Sequence, residues 1–157
     1  TLIAFSKLSL EPVTIKFEAV SGQNTPDVLN ISGFAVETID AATDERTYLP
    51  LRNLSLWTDI QTNGDKFQVG LFAGYSRNRG TTKNIYPAEI IYGLGTDIAS
   101  LYRISPRVLF NSGKVRFGLE GEFTSATFGS AYNEYAVPEN THTVNNMRIL
   151  FSTYYFF

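Results

Sequence analysis

The chain has 157 residues, enough for one ordinary domain, and thirteen Lys and Arg against fifteen Asp and Glu leave a net charge of −2, so no global basic field points to nucleic acid. It has no cysteine and one histidine, which removes disulfides, thiolate zinc sites and Cys nucleophiles and leaves little for a histidine metal site. Aromatics at 14% and charged residues at only 18% exclude disorder, and no apolar run is long enough for a transmembrane helix.

Apolar residues recur with period two almost everywhere, the spacing of strands. The first segment, 2–10, is ambiguous, although Lys7 must belong to its polar parity. In the second, 13–21, Val13, Ile15, Phe17 and Ala19 oppose Thr14, Lys16, Glu18 and Val20. In 51–61, Leu54, Leu56, Thr58 and Ile60 oppose Asn53, Ser55, Trp57 and Asp59. In 66–77, Phe67, Val69, Leu71, Ala73 and Tyr75 oppose Gln68, Gly70, Phe72, Gly74 and Ser76. The segment 98–111 sets Tyr102, Ile104, Pro106, Val108 and Phe110 against Arg103, Ser105, Arg107 and Asn111. In 114–128, Val115, Phe117, Leu119, Gly121 and Phe123 oppose Arg116, Gly118, Glu120, Glu122 and Thr124. The last, 144–157, sets Met147, Ile149, Phe151, Thr153, Tyr155 and Phe157 against Arg148, Leu150, Ser152, Tyr154 and Phe156. No charge stands on the apolar parity so named in the last six segments.

A half-buried sandwich strand alternates too. Three features favour lipid instead. The segments are longer than the roughly 5 to 6 residues of soluble strands, and about 10 tilted residues cross a hydrocarbon core. Short polar turns at Leu10-Glu11-Pro12, Asn63-Gly64-Asp65 and Asn111-Ser112-Gly113 alternate with long connections near 22–50, 78–97 and 129–143, the sidedness of an outer-membrane barrel. The chain also closes on Tyr154-Tyr155-Phe156-Phe157, a patch suited to a non-aqueous neighbour. The expectation is an all-β, transmembrane, antiparallel up-and-down β-barrel, with residues 1–157 as a single unit and the bacterial outer membrane as its location.

The closing strand, 144–157, resembles the C-terminal signal strand of bacterial outer-membrane β-barrels. The resemblance makes Ile149, Phe151, Tyr155 and Phe157 a membrane-insertion signal. The run Thr96-Asp97-Ile98, then Tyr102-Arg103-Ile104-Ser105-Pro106-Arg107, then Ser112-Gly113-Lys114-Val115-Arg116-Phe117-Gly118 is similar to the C-terminal part of Bacteroidetes porin-like proteins.

Seven segments make an odd count, whereas bacterial barrels have an even number of strands and the smallest usual barrel needs eight. A hairpin within 22–50, Asn30–Ile39 against Arg46–Pro50, would add two and keep the count odd. Thr1 is no initiator methionine and no leader pattern follows it. The chain is therefore expected to be the C-terminal portion of a larger barrel, completed by upstream strands or a partner chain. A complete eight-stranded barrel with a miscounted first segment is the alternative.

The polar parity would line the lumen with Lys16, Glu18, Asp59, Arg103, Arg107, Arg116, Glu120, Glu122 and Arg148. Arginines from three consecutive strands would make a basic wall that filters solutes, or a structural ladder with Glu120 and Glu122. Those two carboxylates lie two apart on one face, superficially like a glycosidase pair, but the arginines offer them ion-pair partners and leave no evident general acid. His142 reads as a solvated loop histidine. Asp40, Asp44 and Glu45 lack the ligand rhythm and glycine of a calcium loop. The glycines form no phosphate-binding motif, so neither cofactor nor metal is expected, nor an enzyme. Pro106 removes a ladder donor, and a bulge there would swap the faces of Arg103 and Arg107.

The functional expectation is a porin-like channel for small polar solutes. A membrane-anchored binding or structural barrel, acting through its outer loops, as a homo-oligomer or in an envelope complex, is the rival. A soluble lipocalin-type barrel would turn the apolar parity toward a ligand, and the terminal aromatics and strand lengths argue against it.

Overall fold

A computed structural model describes residues 1–25, 30–87 and 89–157. Ten strands occur among them: β1 (Leu2–Ser9), β2 (Val13–Gln23), β3 (Ser32–Ile39), β4 (Arg46–Pro50), β5 (Arg52–Thr62), β6 (Phe67–Asn78), β7 (Ile91–Leu94), β8 (Ile98–Ser112), β9 (Val115–Tyr132) and β10 (Pro138–Tyr155). Seven form one antiparallel sheet in the order β1-β2-β5-β6-β8-β9-β10. These are the seven segments of period-two alternation.

The sheet is open. Strands β1 and β10 are its two edges, so the expected barrel is not closed within these residues. The hairpin in 22–50 does form, as β3 against β4 with a register shift between Val36 and Thr38, but it adds nothing to the large sheet. It pairs with β7 in a separate three-stranded sheet, β4-β3-β7. The connection near 129–143 is shorter than the alternation suggests, because β9 and β10 run on as a ladder to Tyr132↔Pro138. Their added length, 129–132 with 138–143, carries no run of alternating apolar residues, which hides its strand character from a hydropathy pattern.

Cross-strand partners share a face, and the register gathers the charged residues of these strands on one face, with aromatic side chains among them. One row runs Lys7, Lys16, Asp59, Phe72 and Ser105 from β1 to β8. Arg107 then faces Glu120, and Arg148 faces Glu122. The register is uniform past Pro106, which faces Leu71. No bulge forms there, so Arg103 and Arg107 share one face, and the irregularity lies between Ile98 and Ser100 instead. In β1 the ambiguity resolves with Ile3, Phe5 and Lys7 beside Val20, Glu18 and Lys16.

The opposite face carries the apolar parity, and it is exposed: Leu119 is 52%, Phe151 65% and Ile149 74% accessible. Aromatics mark two levels on it. Phe67, Phe110 and Phe117 align at one, and Tyr75 and Tyr102 align eight residues away along their strands. Charge does appear on this parity beyond the second level, at Arg77, paired with Leu54, and at Arg52.

The packed core lies elsewhere. Ala35, Leu49, Leu51, Ile85 and Ala136 are buried together, with Ile91 packed against them, and all six lie in or beside the long connections. Backbone bonds tie these connections into one cap: Leu51 N–H to Gly33 O at 2.8 Å, Tyr86 N–H to Val36 O at 2.8 Å and Ile85 N–H to Glu134 O at 2.8 Å. Arg52 donates to the carbonyls of Arg79, Gly80 and Thr81. It thereby clamps the 78–97 connection to the start of β5.

Candidate functional site

All nine residues expected to line a lumen fall on the charged face. Its centre is a fork across three strands. Arg107 of β8 reaches over β6 to Asp59 of β5, donating from Nη1 to Oδ2 at 2.7 Å and from Nη2 to Oδ1 at 2.9 Å. Nη2 also donates to Gln61 Oε1 at 2.9 Å, and Gln61 Nε2 donates to Gln68 Oε1 at 3.2 Å. The side chains of Arg107 and Asp59 are 16% and 12% exposed. This planar two-bond geometry is the strong form of a charge-assisted hydrogen bond. It depends on Gly70, the β6 residue between them: a Cβ there would stand 2.8 Å from Arg107 Cζ.

A second cluster centres on Glu122. Arg148 Nη2 lies 2.8 Å and Arg103 Nη1 3.3 Å from its Oε2, while Arg103 Nε donates to Thr124 Oγ1 at 3.0 Å. Of the four arginines, Arg103 and Arg148 pair with Glu122 as the ladder reading expects, Arg107 pairs with Asp59 instead, and Arg116 makes no ion pair among the described residues. Arg116 donates to Asn111 Oδ1 at 2.7 Å and lies over the Phe156 ring, 5.6 Å from its centroid. Glu120 faces Arg107 in the register, yet Arg107 spends its fork on Asp59. Among the described residues, Lys7, Lys16 and Glu120 make no ion pair.

Aromatic side chains interrupt the charges. Trp57 and Phe72 lie with ring centroids 6.0 Å apart and planes at 30°. Trp57 Nε1 donates to Glu18 Oε1 at 3.1 Å. Gly74 makes room for the pair, since a Cβ there would meet the Phe72 ring at 3.1 Å. Hollows flank these rings. One of about 460 Å³ is bounded by Lys16, Asp59, Arg107, Arg116, Glu120 and Tyr154. The other, about 390 Å³, lies where the cap residues Ile31 and Leu94 and the first residue of β8, Ile98, meet Trp57, Phe72 and Arg103.

Trp57, Phe72, Gln61 and Lys7 belong to this face but were not singled out as site residues from the sequence. The signal for the two rings was present, as large aromatics on the polar parity of two neighbouring strands. His142 lies within β10 rather than in a loop, its ring stacked on Phe128 at 6.0 Å. Asp40 caps the β3–β4 turn, accepting from the Ala42 and Thr43 amides at 2.8 and 3.0 Å. These bonds hold its carboxyl below the usual carboxylate range. Asp44 pairs with Arg46 at 3.4 Å. The residues of the expected insertion signal, Ile149, Phe151 and Tyr155, are exposed on the apolar face, and Phe157 follows the end of β10 with its ring 6.5 Å from that of Tyr155.

No family model matches the chain, and no curated protein or solved structure matches it either.

Proposed function

We propose that these residues form part of a transmembrane β-barrel of the bacterial outer membrane, whose charged face lines a lumen that passes small polar solutes. The observation that carries this is the exposed apolar face set against the charged one. A water-soluble sheet covers its apolar face; here Leu119, Phe151 and Ile149 stand open while the charged side chains bond one another across strands. The two aromatic levels support it, since outer-membrane barrels carry aromatic girdles at both interfaces. Eight residues at about 3.4 Å and a tilt near 45° separate them by roughly 19 Å, within a lipid-facing band about 25 Å tall.

In lipid every backbone group needs an internal partner. The free edges of β1 and β10 therefore require further strands, from upstream sequence or a partner chain. The packed cap over one end of the charged face favours a second reading, an anchored barrel that binds partners through its loops.

Reconstitution tests both. Protein purified from membranes should resist extraction with alkaline carbonate and give discrete conductance steps in planar bilayers. Release by carbonate refutes the transmembrane assignment. Retention without conductance under any condition refutes the channel and leaves the anchored barrel.

A further inference from the structure

The hollow between cap and sheet has a composition unlike the rest of the charged face. Its floor is the Trp57–Phe72 ring pair and its roof is aliphatic, from Ile31 and Leu94 of the cap and Ile98 at the start of β8. Its rim is polar: Ser55, Ser76 and Arg103 line it, and Glu18 holds the indole edge. Ser76 Oγ is buried and, among the described residues, has no hydrogen-bond partner. Buried polar groups left unpaired are rare and call for a partner.

Three ligand classes fit badly. A hydrocarbon would leave the rim unpaired. An anion would suit Arg103, but that guanidinium is already shared with Glu122, and Glu18 lies across the floor. A cation would meet Arg103. What fits is a neutral ring with two apolar faces and a perimeter of hydroxyls that both donate and accept, and the volume of about 390 Å³ lies at the small end for ligand sites.

We propose that this hollow binds a sugar ring, a pyranose sandwiched between the Trp57–Phe72 floor and the cap. The site rests on the proposal that the charged face meets water.

Trp57 is the single tryptophan of the 157 residues, so its emission reports on the floor directly. In protein reconstituted in phospholipid vesicles, glucose and maltose should each change Trp57 emission saturably and protect it from acrylamide. Phe72→Leu should weaken that binding about tenfold, and Leu94→Ala should weaken it too. Brominated lipids should leave Trp57 emission unchanged; quenching by them would overturn the orientation of the sheet and the site together. If brominated lipid does not quench and the sugars give no saturable change, or benzoate does so in their place, the sugar site alone is refuted.

Discussion

Replacing Leu119 with Arg separates a lipid-facing sheet from a water-facing one by magnitude. On β9 the lower aromatic level passes through Phe117, and the upper one, carried by Tyr102, passes through Ser125. Their midpoint falls at Gly121. Leu119 is two residues away, about 5 Å along the membrane normal for a tilted strand. An Arg at the bilayer midplane of a barrel costs about 2–4 kcal/mol and one near the interface about 0–1. Leu119→Arg should therefore cost about 2–3 kcal/mol, and Met147→Arg, opposite Phe123, a similar amount. Val115→Arg, beyond the lower level, should cost about 1 kcal/mol or less. On a sheet facing water, a 52% exposed Leu119 would tolerate Arg within about 0.5 kcal/mol. Reversible urea unfolding from phospholipid vesicles, followed by Trp57 emission, measures the series. Three equal costs under about 0.5 kcal/mol would refute lipid exposure, and a cost that does not fall toward Val115 would refute the assigned depth.

Asp59→Ala should destabilise the fold by about 2 kcal/mol, below the roughly 3–5 of a fully buried broken pair because Gln61 still accepts from Arg107; in urea unfolding, adding Arg107→Gln should restore part of the loss, and strictly additive costs would show the pair uncoupled. Adding Lys7 to the expected lumen residues gives six cations (Lys7, Lys16, Arg103, Arg107, Arg116, Arg148) against four carboxylates (Glu18, Asp59, Glu120, Glu122), so a weak anion preference should appear in reversal potentials across a salt gradient. It should shrink in Arg103→Gln/Arg116→Gln, and unchanged selectivity would make both arginines purely structural. The Asp40 carboxyl is shifted down on folding by the Ala42 and Thr43 amides, so its contribution to the β3–β4 turn is complete above the ordinary carboxylate range and lost as pH falls through the lowered value. Exchange protection of those two amides should vanish over that acidic window, and protection independent of pH would remove Asp40 from the turn.

Much of the sheet was legible because its information is local and binary. A strand with one apolar and one polar face writes its period into consecutive residues, so 13–21, 66–77 and 98–111 could be delimited and Arg103, Arg116, Glu120 and Lys16 assigned to one face without knowing their neighbours. Where apolar residues do not alternate the signal vanishes, which is why the ladder of 129–132 with 138–143 read as loop and His142 as its occupant. Tertiary structure alone decided what crosses strands. Whether Glu122 or Glu120 takes the arginines depends on register, and Arg107 chooses Asp59 two strands away because Gly70 leaves a trough between them. The same holds for the cap. Ala35, Leu51, Ile85 and Ala136 are scattered over a hundred residues without a period of their own, and only the convergence of three connections at one end of the sheet brings them into contact.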